Sequence, residues 1–195
     1  PAAAAAHGLH AEDWDALAAA TDWTSPAART AARADAEAML ARVAERWYEL
    51  HAGAARREDP KRLVLGDMLS CDVAGLPAYL LPILARHTDL LCIRWEAHFS
   101  EQKAVLQTIH EQTGLPILLG DSAFSVHADC HRPHGKGIPV ADQTEVGRSY
   151  ADYLRAAMEA GFVVGWHYGG YIEGREGGAA NLERQCGLLD PDENE

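Results

Sequence analysis

The sequence is poor in basic residues, has few cysteines and lacks any long hydrophobic run. It carries 17 lysines and arginines against 29 aspartates and glutamates, so its formal net charge is −12. Nucleic acids and anionic membrane surfaces bind basic patches, and no basic cluster here is larger than the pair Arg56-Arg57. No apolar stretch approaches the roughly 20 residues of a membrane-spanning helix. We therefore expect neither a nucleic acid nor a membrane as a partner.

Several sequence signals of other protein classes are also missing. The four cysteines are far apart and form no CxxC pair, so we interpret most of them as free thiols, and they leave the compartment open. No GxGxxG or Walker A sequence follows a predicted strand, so the nucleotide-binding α/β folds lose support. The opening segment 1–6 lacks the charged region and the apolar core of a complete signal peptide.

Four short apolar runs are the most informative feature that is present. Continuous runs of this length predict strands buried on both faces, as in a parallel sheet covered by helices. Helical segments alternate with them, so we expect an α/β fold, either an open doubly wound sheet or part of a (β/α)8 barrel. The runs are Leu63–Asp67, Asp89–Trp95, Leu115–Asp121 and Phe162–Tyr168.

Four helices are predicted from apolar spacing and capping residues. The first covers about 30–53 and carries one apolar stripe. The third begins with Ser100 as its N-cap and is closed by Gly114. The segment 122–141 exceeds an ordinary βα connection, so we interpret it as functional or as an ornament. The stripe consists of Leu40, Val43, Trp47 and Leu50, and the other two helices cover about 77–86 and 142–160.

The chain divides by pattern into three parts. Residues 1–30 form an Ala-rich N-terminal segment, read as a short helix or an irregular cap. Residues 31–190 form the βα domain, and a chain that is 48% hydrophobic can supply it with one substantial core. Residues 191–195 form an acidic tail.

Carboxylates and aromatic side chains follow the predicted strands. In parallel α/β sheets, ligands bind where the strands end, and a flat aromatic ring covers the apolar C–H face of a sugar at little entropic cost. The clustering therefore suggests a sugar site. By alternation, Trp166 and Tyr168 point to one side of the last strand and His167 to the other. The strand-end residues are Asp67, Trp95, Glu96, Asp121, Trp166, His167 and Tyr168.

Five segments occur in an order that a known family shares. They are 43–48 (VAERWY), 59–67 (DPKRLVLGD), 113–121 (TGLPILLGD), 163–168 (VVGWHY) and 185–190 (QCGLLD). They resemble, in turn, the helix before strand 5, strand 5, strand 7, strand 8 and the segment before the final helix of clan-A glycoside hydrolases. Within that clan the likeness is to the agarase-like and β-galactosidase-like enzymes, and it covers about residues 30–190.

The resemblance implies strands 5–8 of a TIM (β/α)8 barrel and retaining hydrolysis of a polysaccharide or oligosaccharide, with no cofactor. Asp121 then stands where the family has its catalytic nucleophile, a Glu. The family's acid/base is a Glu after Asn at the end of strand 4, and the one Asn-Glu pair here is Asn194-Glu195. Two interpretations stay open: a hydrolase whose acid/base comes from elsewhere, and an inactive carbohydrate-binding homologue.

Each substrate-binding candidate also has a plainer interpretation. The aromatic residues can serve barrel packing, Asp67 and Asp121 can brace loops or cap a helix, and Glu96 can be a solvated loop residue. The full set of substrate-binding candidates is Asp67, Trp95, Glu96, His98, Trp166, His167, Tyr168 and Tyr171.

A third interpretation is a metal-binding protein that uses the loop 127–134. That loop holds potential zinc ligands, but their spacing matches no standard finger, so we expect no metal site. The potential ligands are His127, Asp129, Cys130, His131 and His134.

Four strands are half of a barrel, and half a barrel exposes two sheet edges and an apolar face. Strands 1–4 have no counterpart in this sequence. We therefore expect a homo-oligomer or a missing N-terminal half, with a carbohydrate as the ligand.

Overall fold

The computed structural model describes residues 12–19, 26–70, 75–126 and 137–169. The chain divides into two compact units, Pro1–Leu50 and His51–Glu195. In chain order the elements are α1 (Trp14–Ala19), α2 (Pro26–Glu58), β1 (Met68–Ser70), α3 (Leu80–His87), β2 (Leu91–Arg94), α4 (Phe99–Thr113), β3 (Ile117–Ser122), β4 (Phe124–Val126), β5 (Ile138–Val140), α5 (Gln143–Glu159) and β6 (Val163–Tyr168).

Four strands of the second unit form a sheet in the order β1-β2-β3-β6, and every neighbouring pair is parallel. A helix lies between each pair of consecutive strands in this sheet, as parallel crossovers require. The helices also pack on one another in chain order, α3 with α4 and α4 with α5. The predicted parallel α/β fold is confirmed.

The two faces of the four-stranded sheet differ. One face is apolar and at most 7% exposed, and it consists of Leu69, Leu91, Ile93, Ile117, Leu119 and Val163. The other, which we call the open face, includes Met68 and Val164, which are 44% and 54% exposed. Alternation places Cys92, Arg94 and Leu118 on the open face as well.

A second, two-stranded parallel sheet joins β4 to β5. It falls within the segment 122–141, which the sequence marked as too long for a simple connection. Ile138 donates its backbone N–H to the carbonyl of Ala123 at 2.8 Å and so starts the pairing. The loop 127–136 between the two strands lies outside the described residues.

The caps of α4 and α5 show which local predictions succeed. Gly114 has φ of 69° and forms the left-handed C-cap of α4, as predicted. Ser100 is not the N-cap, because α4 already begins at Phe99 and its N-cap is His98. The side chain of Asp142 accepts a hydrogen bond from the backbone N–H of Glu145 at the start of α5.

The first predicted strand, Leu63–Asp67, is displaced in the structure. The carboxylate of Asp89 accepts the N–H of Val64 at 2.7 Å, and Gly66 has φ of 71°, which is incompatible with extended backbone. The strand β1 therefore begins only at Met68. Asp67 precedes the strand rather than ending it, so it lies at the amino end of the sheet.

The apolar stripe of the first predicted helix is half exposed in the structure. Leu40, Val43, Trp47 and Leu50 of α2 are 49–52% exposed. The helix also begins earlier than predicted, at Pro26, a residue that suits the first helical turn. Within the described ranges, no helix is long and apolar enough to cross a membrane.

Candidate carbohydrate site at the carboxyl ends of the strands

Asp121 lies near the carboxyl end of β3, where the pairing with β6 is irregular. The register between these strands shifts between Leu119 and Ser122. Asp121 itself has φ of 50°, and no other non-glycine residue of the described ranges has a positive φ. A bulge of this kind re-aims a side chain at a strand end, and the left-handed conformation costs about 1–3 kcal/mol unless the surroundings hold it. The side chain is 34% exposed.

Arg94 ends β2, the neighbouring strand, and connects two carboxylates. Its Nη1 lies 3.3 Å from Oδ2 of Asp121, and its Nη2 lies 2.6 Å from Oε1 of Glu96. The arginine is 17% exposed and Glu96 is 24% exposed, so solvent screens the closer pair less than it screens a surface pair. The structure thus brings together two of the predicted residues, Asp121 and Glu96, through one that sequence reasoning missed. The sequence feature that could have identified Arg94 is its charge within an otherwise apolar predicted strand.

A buried polar network holds the loop that follows β2. Gln102 is 0% exposed, and its Nε2 donates to the carbonyls of Trp95 at 2.7 Å and Ala97 at 2.6 Å. Its Oε1 accepts from the hydroxyl of Tyr153 at 2.9 Å. Burial is the main reason that the pKa of Tyr153 is raised to about 12. Because every polar group of Gln102 is satisfied, the network fixes the backbone on both sides of Glu96.

Two glycines make room for Asp121 and its surroundings. A Cβ on Gly169, just after β6, would lie 2.6 Å from both the carbonyl oxygen and Oδ1 of Asp121. A Cβ on Gly120 would lie 2.7 Å from Sγ of Cys92 on the open face. Neither glycine was singled out from the sequence, where the weak signal for Gly169 is its place directly after the last strand.

The surroundings of Cys92 on the open face raise the pKa of its thiol. Burial raises the pKa of Cys92, and the negative charge of Asp121 raises it further. The thiol therefore behaves as an apolar side chain at neutral pH, in keeping with its interpretation as a free cysteine.

Trp166 belongs to an aromatic cluster against helix α5. Its ring stacks on Tyr150 at 4.7 Å between centroids and lies 4.6 Å from Tyr153. Phe124 meets it edge to face at 5.9 Å. Aromatic rings therefore pack against the indole, and its buried Nε1–H has no hydrogen-bond partner among the described residues. A ligand contact by Trp166 stays a prediction, and we leave this residue out of the site proposed below.

The remaining residues of the last strand follow the predicted alternation. The ring of Tyr168 lies 5.9 Å from that of Trp166, on the same side of the strand. His167 is exposed on the other side, which is the side that the open face occupies. His167 is thus the better placed of these residues for contact with a ligand.

The other predicted site residues are scattered. Trp95 is half-buried beside Glu96, and His98 is exposed at the start of α4. Asp67 precedes β1 and so lies at the amino end of that strand, whereas Asp121 lies near the carboxyl end of β3; a ligand contact by Asp67 stays a prediction. Tyr171 and the possible metal ligands of loop 127–134 lie outside the described residues. Within the described ranges, no group of three His, Cys, Asp or Glu residues could hold a metal ion.

Solved structures with the same arrangement of parallel βα units include several glycoside hydrolases. The chain is similar to an exo-β-agarase, with a TM-score of 0.76 and 21% sequence identity over 97% of this chain. The agarase AgWH50C gives a TM-score of 0.73 at 19% identity over 97% of this chain. A β-glucuronidase from an uncultured Clostridium gives 0.52 at 16% identity over 76% of this chain and 27% of that one. The likeness to agarases that the sequence predicted is thus confirmed for the fold.

The chain spans about a quarter of the length of these agarases, 25% of the first and 26% of the second. No protein-family model matches the chain, and no curated protein matches it.

Proposed function

We propose that this chain forms the strand 5–8 side of the cleft of a clan-A (β/α)8 glycoside hydrolase. In this proposal β1, β2, β3 and β6 are barrel strands 5, 6, 7 and 8, and the open face is the barrel interior. The observation that carries the proposal is Asp121, a partly exposed carboxylate re-aimed by a bulge at the end of the proposed strand 7. The likeness in fold to agarases supports a polysaccharide or oligosaccharide as the ligand.

In retaining hydrolysis, an oxygen of Asp121 attacks the anomeric carbon of the sugar. The glycosidic oxygen leaves with a proton from a general acid, and water then cleaves the glycosyl ester that has formed on Asp121. The general acid of a retaining enzyme lies about 5–5.5 Å from the nucleophile. Glu96 does not suit this role, because one of its oxygens accepts from Arg94 and the other from the N–H of Gly137 at 2.9 Å. We assign the general acid to the barrel half that this chain does not supply.

An inactive carbohydrate-binding homologue is the second candidate function. Its specific support is the shorter Asp121 in place of the family's Glu, since a nucleophile displaced by about 1 Å can lose roughly 100-fold in rate. The two candidate functions predict different outcomes for hydrolysis but the same carbohydrate binding. Restoring the family residue with Asp121→Glu separates them: a gain of hydrolysis supports the enzyme, and no gain supports the binder.

Binding itself is tested by calorimetry with agarose-derived oligosaccharides. A hydrogen bond to a charged group contributes about 1.5–3 kcal/mol, so we expect Asp121→Ala to weaken binding by about 10- to 100-fold. The matched control is Asp152→Ala, which removes a 74%-exposed carboxylate paired with Arg155 on α5 and should leave affinity unchanged. Equal affinities for the protein and its Asp121→Ala variant would exclude Asp121 from the sugar site.

The rest of the barrel comes, in our proposal, from further βα units that pair with the edges β1 and β6. Two features support this assignment: the chain spans about a quarter of the agarases' length, and Met68 and Val164 of the open face are half exposed. A second copy of this chain is the alternative source of those units.

A further inference from the structure

Arg94 pairs unequally with two carboxylates, those of Glu96 and Asp121. The distance from Nη2 to Glu96 is 2.6 Å, whereas the distance from Nη1 to Asp121 is 3.3 Å. The first is a short charge-assisted hydrogen bond, and the second lies beyond the usual range for one. Of these two carboxylates, Glu96 therefore holds the guanidinium more closely than Asp121 does.

The alternative for an arginine beside a carboxylate is a bidentate pair. A guanidinium presents its N–H groups as a planar fork that matches both oxygens of one carboxylate, and this arrangement is strong and frequent. If Arg94 paired with Asp121 in this way, both oxygens of Asp121 would be occupied. Each oxygen would keep one lone pair, but the planar guanidinium would cover the open end of the carboxylate and hinder the approach of a sugar.

Glu96 is itself held in place from two directions. Its second oxygen, Oε2, accepts the backbone N–H of Gly137 at 2.9 Å. The loop backbone on either side of Glu96 is fixed by the buried amide of Gln102. Gly137 directly precedes Ile138, whose backbone N–H donates to the carbonyl of Ala123 at 2.8 Å, so the pairing of β5 with β4 anchors the donor of this hydrogen bond. Glu96 therefore has little freedom to follow Arg94 toward Asp121.

We propose that Glu96 is a positioning residue that withholds Arg94 from a bidentate pair with Asp121 and thereby keeps one oxygen of Asp121 accessible to ligand. The effect on ligand binding rests on the proposed function, but the placement of Arg94 by Glu96 can be tested without a ligand. It also assigns Glu96 a role other than the sugar contact that its place after β2 suggested.

The functional test is a double-mutant cycle in oligosaccharide affinity. Losing one charge-assisted hydrogen bond allows Arg94 to move, so Glu96→Gln should weaken binding about tenfold. In an Arg94→Met background the same substitution should change affinity by less than about twofold, because no arginine remains to cover Asp121. The matched control is Glu111→Gln on the exposed face of α4, where Glu111 accepts from Gln107; it should change nothing.

The structural test uses the thiol of Cys92 as a reporter and needs no ligand. Asp121 raises the pKa of Cys92, and a bidentate arginine would neutralise that influence. Glu96→Gln should therefore speed alkylation of Cys92 by iodoacetamide roughly threefold at fixed pH, and it should have no such effect in the Arg94→Met background. Peptide-resolved mass spectrometry separates Cys92 from the other cysteines.

The outcomes distinguish the two proposals. An equal loss of affinity from Glu96→Gln in both backgrounds would overturn the positioning role and make Glu96 a direct sugar contact. An unchanged alkylation rate in Glu96→Gln would overturn it as well. If no oligosaccharide binds at all while the alkylation rates behave as described, the proposed function fails and the positioning of Arg94 by Glu96 stands.

Discussion

Gly169→Ala is the substitution that most directly probes how Asp121 is held. The new Cβ would lie 2.6 Å from the carbonyl oxygen and Oδ1 of Asp121 and 2.7 Å from its carbonyl carbon. Two of these three atoms belong to the backbone, so they cannot move aside as the end of a flexible side chain can. Forcing extra atoms into a well-packed site costs about 1–3 kcal/mol. The expected result is a loss of about 2 kcal/mol in the free energy of unfolding.

Gly147→Ala is the matched control. Gly147 lies within α5, and a Cβ there meets nothing within 4 Å. Replacing a helical glycine with alanine should stabilise the protein by about 0.5–1 kcal/mol. With a denaturant slope of about 1–3 kcal/mol per molar urea, the midpoints of the two variants should differ by about 1–3 M. Urea unfolding followed by tryptophan fluorescence measures this difference. If Gly169→Ala were as stable as Gly147→Ala, the account of the crowded bulge would be refuted.

Two further predictions concern the surroundings of the site. Gly120→Ala brings a Cβ to 2.7 Å from Sγ of Cys92, so it should lower the free energy of unfolding by about 1–3 kcal/mol. Adding Cys92→Ala should recover most of that loss, as measured by urea unfolding. The pKa of Tyr153 is about 12 in the folded state against about 10 when unfolded. The neutral hydroxyl of Tyr153 therefore stabilises the folded state fully below pH 10, and this contribution is lost as the pH rises through 12. Tyr153→Phe should lower the free energy of unfolding by about 1–3 kcal/mol at neutral pH, because it leaves Oε1 of Gln102 unpaired. It should also flatten the fall in stability between pH 10 and 12. An unchanged alkaline profile would argue against Tyr153 as the source of that fall.

The strands were predictable wherever hydrophobic burial alone decides the structure. The runs around Ile93, Leu119 and Val163 form β2, β3 and β6 because each strand buries its apolar residues under the helices. The run Leu63–Leu65 looked the same in sequence but is not a strand, because the carboxylate of Asp89 takes the N–H of Val64. Such a pairing depends on a residue 25 positions away, which periodicity does not register.

The position of the carboxylates Asp121 and Glu96 at the strand ends was predictable, and the packing around them was less so. The positions of Asp121 and Glu96 just after predicted strands identified them as candidates. Strand alternation placed Trp166 and Tyr168 on the same side of the last strand. Alternation does not say which side faces the helices, so the packing of Trp166 against Tyr150 required the structure. The bulge at Asp121 also has no sequence signature, since Asp occupies both extended and left-handed backbone conformations.

The central claim is that a saccharide binds at the carboxyl ends of β2, β3 and β6. The most direct measurement is the change in backbone amide chemical shifts, by NMR, when agarose-derived oligosaccharides are added to the protein. The account predicts that the shifts concentrate at Arg94, Asp121 and Gly169 and leave Leu91 and Ile117, at the amino ends of their strands, unchanged. Shifts confined to those amino ends or to the exposed stripe of α2, or no shifts at all, would contradict it.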